Sequence, residues 1–142
     1  MNIKFIILFF LLAFIQDTIP KKANKIIIHT QSNPEENFIS FGKFLIENGY
    51  IFENKDKDFF TLVTEPKGVK SGGGLADYKL LISFVKSDIN IKIKMGVHSI
   101  ITDFSWRDWY YVNRSTTYNK SIFKDFDPCL RKYPGEIEYI RE

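Results

Sequence analysis

The apolar positions of this chain follow two rhythms. Between 33 and 48, Phe38, Ile39, Phe41, Leu45 and Ile46 recur at a spacing that gathers them on one broad side of a helix. The ends of that helix are written in. Asn33 can cap its free N–H groups, Pro34 fits the first helical position, and Glu35 and Glu36 suit the positive end of its dipole. Gly49 accepts the left-handed backbone that stops it. Elsewhere the period is two. From 89 to 97, Ile89, Ile91, Ile93, Met95 and Val97 alternate with Asn90, Lys92, Lys94 and Gly96. That pattern predicts a strand with one core face and one wet face. The continuous run Ile26-Ile27-Ile28 predicts a strand over 25–30, central or buried on both sides. Further strands are expected over 50–54, 59–64 and 78–86, the first two joined by the charged turn Lys55-Asp56-Lys57-Asp58.

Three segments are less regular. Pro66, Gly68 and the run Gly72-Gly73-Gly74 predict a loop over 65–77. The aromatic stretch 98–114 reads either as another strand or as a packed loop. Ile122, Phe126, Leu130 and Tyr133 predict a helix within 115–133, broken near Phe126 where Asp127-Pro128 can start a second short helix. Pro134-Gly135 ends it, and 136–141 offers a short final strand. The expected order is β-α-β-β-β-β-α, with an optional terminal strand. This is an α+β fold, a mostly antiparallel sheet of about five strands with helices on one face.

A strand, a helix ending in Asn48-Gly49-Tyr50, the turn at 55–58, then Thr64-Glu65-Pro66-Lys67 form a unit that resembles a family of small exported bacterial proteins of unknown function with a βαββ core. In architecture it is also similar to the repeated domains of the lipoprotein component C of the outer-membrane β-barrel assembly machine. The resemblance spans about residues 25 to 97 and carries no catalytic residue. It implies an envelope or secreted domain that binds something.

Composition agrees with a folded domain. The chain has 142 residues, including 14 Phe, 7 Tyr and 2 Trp, enough to fill one core over 25–142. Its net charge of +3, from 20 basic and 17 acidic residues, is too balanced for a nucleic-acid partner. The start is different in kind. Lys4 precedes an apolar run over 5–15, shorter than the ~20 residues needed to span a bilayer, which is the pattern of a signal peptide over 1–16. No Cys follows that run, so a lipid anchor is not expected. Cys129 is the one cysteine, and an exported protein with a single thiol has no internal disulfide.

Candidate chemistry is sparse. His29 and His98 are the only histidines, and neither sits at a metal-ligand spacing. His29 ends an apolar strand, where a hydrogen-bonded structural imidazole is expected. Cys129 belongs to no nucleophile motif and reads as a half-buried helical thiol. The run 67–74 lacks the order of a phosphate-binding loop and reads as a connection between strands. Lys79, Lys92 and Lys94 are expected on the wet sheet face, where they can attract an acidic partner or anionic lipid heads, or simply discourage edge pairing. The sharpest surface candidate is Trp106, Arg107, Trp109, Tyr111 and Arg114: flat rings beside charges, able to stack on sugars or peptides, or else to fill the core. The expected function is an exported, periplasmic or secreted, non-enzymatic binding or envelope-assembly module. Its partner would be a protein, peptide or glycan of the envelope, with membrane contact but no integral span, and with no cofactor, metal or catalytic residue. Two alternatives remain: an exported hydrolase using His98 with Asp103 or Asp108, and a carrier for a small apolar ligand.

Overall fold

A computed structural model describes residues 18–72, 74–97, 104–113 and 117–142. The segment 1–16, expected to be a signal peptide, lies outside the described residues, as do His98, Asp103 and Arg114. The elements, in chain order, are β1 (Lys25–His29), α1 (Pro34–Glu47), β2 (Phe52–Asp56), β3 (Thr61–Thr64), β4 (Lys67–Ser71), β5 (Gly74–Val85), β6 (Asp88–Val97), β7 (Ser105–Asp108), α2 (Tyr118–Leu130) and β8 (Glu136–Ile140). The fold is α+β, with two helices and an antiparallel sheet.

That sheet has eight strands, where about five were expected. The long hairpin β5–β6 is its spine. Along the outer edge of β5 run β3 and then β4, end to end. Along the outer edge of β6 run β1 and then β7. β2 and β8 complete the two sides. The extra strands come from segments whose glycines and aromatics hide a period of two. The stretch 65–77 is not a loop: Ser71 pairs with Gly74 across a tight turn, with Gly72 at φ 52°, a left-handed backbone that favours glycine. Pro66 has no N–H to give the ladder, which separates β3 from β4. At that gap the Thr64 hydroxyl accepts the Leu80 N–H at 2.9 Å.

The expected charged turn is displaced by two residues, because the Asp56 carboxylate accepts the N–H groups of Asp58 (3.0 Å) and Phe59 (3.1 Å) and so starts the turn after β2. Phe60 at φ 49° closes it, pointing at Phe38, while Phe59 is 78% exposed.

Both helices lie on the same face of β5. Phe38 and Phe41 of α1 meet Phe84, and Phe126 of α2 meets Tyr78, two residues of like parity on that strand. The α1 termini form as expected, with Asn33 and Glu36 in a reciprocal capping box and Gly49 at φ 87°. Its buried stripe is narrower than the apolar list: Phe41 and Leu45 are inside, whereas Ile39 and Ile46 are largely exposed. The break expected near Phe126 is absent. Pro128 sits in the last turn of a continuous α2, where it removes only one hydrogen bond before the helix ends. Asp127 fastens that end, accepting from Arg131 Nε at 2.9 Å and from the Tyr139 hydroxyl of β8. Tyr133 then folds back on Phe41 and Phe44.

Candidate functional site

Among the described residues, both helices lie on one side of the sheet and none lies on the other, the open face. On β1, β3, β5 and β6 the inward residues are Ile26 and Ile28, Leu62 and Thr64, Tyr78 to Phe84 at every second position, and Ile89 to Met95 likewise, all buried. Their alternates form the open face, and the pairing register sorts these into rows. Thr61, Ser83 and Asn90 are successive cross-strand partners. The next row is Val63, Leu81, Lys92 and Lys25. The next pairs Lys79 with Lys94 and Lys94 with Asp108. The last is Asp77, Gly96 and Trp106. The first two rows line a groove of about 750 Å³ that continues to Val85, Lys86 and Asp88.

Two like-charged pairs therefore stand directly opposite each other on this face, an arrangement that costs stability by itself. Carboxylates from the rim offset both pairs, one for Lys25 with Lys92 and two for Lys79 with Lys94. Glu142 accepts from Lys25 at 2.7 Å and from Lys92 at 2.6 Å. These two contacts hold its exposed carboxyl down at about 2. Asp108 takes Lys94 at 2.5 Å, and Glu53, at the bulge of β2, takes Lys79 at 3.1 Å. The Lys79 ammonium also lies 5.0 Å from the centre of the Trp106 ring. Gly96 makes room for that ring: a Cβ there would stand 2.8 Å from Phe104 and 3.2 Å from Trp106.

The aromatic candidates divide between two sides of the sheet. Trp106 is half-buried on the open face. Arg107 pairs with Met95 and so belongs to the opposite side, by a separate hollow that includes Tyr118 and Asn119. Trp109 is only 1% exposed; its indole donates to the Asn119 carbonyl at 2.8 Å and its ring meets Phe126 edge-on. Tyr111 packs on Phe123. Arg114 lies outside the described residues. Trp109 and Tyr111 thus serve the core, and of the four described candidates Trp106 alone meets the groove's face. What the pattern missed was the partner of each lysine: Lys92 and Lys94 were legible as wet positions, but Lys25 and Glu142 joined them only through the pairing of β1 with β6 and β8.

The other chemical candidates are engaged structurally. His29 sits between Asp88, 2.8 Å from Nδ1, and Glu138, 2.7 Å from Nε2. Hydrogen bonds donated to Glu138 and then to Asp88 raise its pKa above 6.5. The two carboxylates approach opposite sides of the ring, and no group of His, Cys, Asp and Glu among the described residues can hold a metal. Cys129 is half-buried, and burial pushes its thiol up, away from the thiolate a nucleophile needs. Lys67, in the glycine-rich stretch, pairs with Asp125 at 3.0 Å and lies over the Tyr50 ring. Asp125 also accepts from Tyr78, whose hydroxyl is bonded to that of Tyr50. For the hydrolase reading, His98 and Asp103 lie outside the described residues, and Asp108 is held by Lys94. No described helix is long and apolar enough to cross a membrane.

No model of a known protein family, no curated protein and no solved structure matches this chain.

Proposed function

We propose that this chain is an exported, non-enzymatic binding module that presents the uncovered face of its sheet to a partner in the cell envelope. The observation that carries the reading is the one-sided sheet. Both helices pack on the inward residues of β5, while the outward ones, Leu81, Ser83 and Val85 with Val63 from β3, floor a groove on the same face of the sheet as Trp106. A half-apolar, concave surface with a few polar groups is the composition of a recognition site. Export rests on the basic start and short apolar run of the first residues, and the envelope setting is the one that the βαββ resemblance implies.

The test uses the full chain and its Leu81→Arg variant, probed against arrays of envelope glycans and of peptides. The expected result is a probe class retained by the wild type and weakened at least about tenfold by the variant, since a buried contact is lost and a charge placed on the groove floor. Both proteins are expected to melt cooperatively, because Leu81 lies on the open face. Retention unaffected by the variant, or no retention at all, overturns the reading. Export has its own check: the expressed chain should be recovered outside the cytosol shortened by about 16 residues, and full-length protein confined to the cytosol overturns it.

A further inference from the structure

The two edges of the sheet differ. β2, at one end, is blunted: its pairing with β3 slips between Phe52 and Asn54, and it carries Lys55. A bulge and a lysine are common devices against a stray strand. β8, at the other end, has neither. All five of its residues keep register with β1, from Glu136 opposite His29 to Ile140 opposite Lys25. In an antiparallel ladder alternate residues turn their N–H and C=O groups away from the partner strand. Among the described residues nothing meets those of β8. Its remaining hydrogen bonds run back into the domain: Glu138 to His29, Tyr139 to Asp127 of α2, and the Ile140 carbonyl to Asn24. The side chains of this edge sort by sign. Glu136 and Glu138 stand on the open face with Ile140, and Glu142 follows at the same parity. Glu136 is exposed and bonds to no described residue, while Glu138 gives one oxygen to His29 and stays half-exposed. Ile137 and Tyr139 lie on the helix side, opposite Ile28 and Ile26. The only base in 136–142, Arg141, follows the strand at the parity of Ile137 and Tyr139.

We infer that the free edge of β8 is a docking site for an extended segment of a partner protein that has Lys or Arg at alternate positions and apolar residues between them. Its backbone takes the outward N–H and C=O groups of β8. Its basic side chains stand opposite Glu136 and Glu138, and its apolar ones extend the layer of Ile137 and Tyr139. The bases that already serve this edge, His29 and Lys25, lie one strand inward, and Glu136 has none among the described residues. A second copy of the chain is not the occupant. Pairing two β8 edges about a two-fold axis sets some residue opposite itself. Centred on Glu136 or Glu138, that residue is an acid. Centred on Ile137, Glu136 meets Glu138; on Tyr139, Glu136 meets Glu142; on Ile140, Glu138 meets Glu142. Like charges directly opposite are destabilising, so every register repels. An acidic segment meets the same repulsion, and a neutral one leaves Glu136 unpaired. No residue of β8 lines the groove, so this site stands or falls apart from the reading of the open face.

The probe is a capped peptide alternating Arg with Val, added to the full chain and followed by calorimetry and amide hydrogen exchange. Parallel arms replace Arg by Glu, group the Arg residues at one end, or methylate every backbone N–H. The alternating peptide is expected to bind at least about tenfold tighter than each control, since each removes either the charge match or the backbone pairing. Exchange should slow along 136–140 and stay unchanged along 52–56. Glu136→Lys should weaken binding about fivefold, an attractive cross-strand pair becoming a repulsive one. Its melt should be unchanged, because the Glu136 side chain bonds to no described residue. Leu81→Arg, on the groove floor, should leave binding unchanged. No binding, equal binding of any control, indifference to Glu136→Lys, or protection of β2 in place of β8 overturns the inference. Loss of binding in Leu81→Arg overturns it as well, by moving the site to the groove. So does exchange along 136–140 that slows with protein concentration in the absence of peptide, the mark of pairing between copies.

Discussion

His29 is the residue with the clearest pH signature. It stands on β1 between Asp88 of β6 and Glu138 of β8, with Glu136 its other register partner. Both hydrogen bonds favour the imidazolium, so its folded pKa lies above the ordinary 6.5, with the small desolvation opposing. A raised folded value means that the added stability is fully present below 6.5 and disappears as pH rises through the folded value. The side chain is more than one-third exposed, so the effect is about 1 kcal/mol or less. His29→Gln should therefore lower stability most at mildly acidic pH, with the gap closing in alkali. Urea melts across pH test this, and a gap that widens with pH contradicts it. The sequence placed this imidazole correctly at the end of an apolar strand. It could not supply the two carboxylates, which lie 59 and 109 residues away.

At the scale of elements, the sharpest constraint is the link from α2 to β8. Gly135 has φ 142°, and a Cβ there would stand 2.7 Å from the His29 carbonyl oxygen. Gly135→Ala should cost more than about 1 kcal/mol, since both the backbone region and the contact oppose a side chain. Calorimetric melting checks it, and an unchanged melting temperature would show that β8 can shift outward without cost. The same scale shows why some elements were legible. The α1 ends were readable because a capping box and a C-terminal glycine act within one helical turn. β6 was readable because an alternating strand with one wet face repeats every second residue. β4 was not: KGVKS has one apolar residue, Val69, and is a strand because β5 offers it an edge. Likewise, Pro128 reads as a breaker, but only a few helical residues follow it.

For the molecule as a whole, the question is which aromatics make the core and which make the surface. Trp109 joins the chain after β7 to α2 through its indole and its contact with Phe126. Trp109→Ala should cost about 3–5 kcal/mol, the loss of a large, fully packed side chain. Trp106→Ala, on the open face, should cost distinctly less and chiefly quench the ligand response. Comparing the two by urea unfolding decides the point. If Trp106→Ala is as damaging as Trp109→Ala, the open face is part of the core and the groove is not a recognition surface.

The sequence alone determined the class of fold, the capped helix, the central strand and the wet side of β6, because each depends on residues within a few positions of one another. It also showed that lysines would stand on that wet side. Only the tertiary structure decided the number of strands, the separation of Trp106 from Trp109, and the convergence of Lys25, Lys92 and Glu142. Those depend on register between strands distant in sequence. In an antiparallel sheet a one-residue slip sends every side chain to the other face, so no local pattern can say which charges will meet.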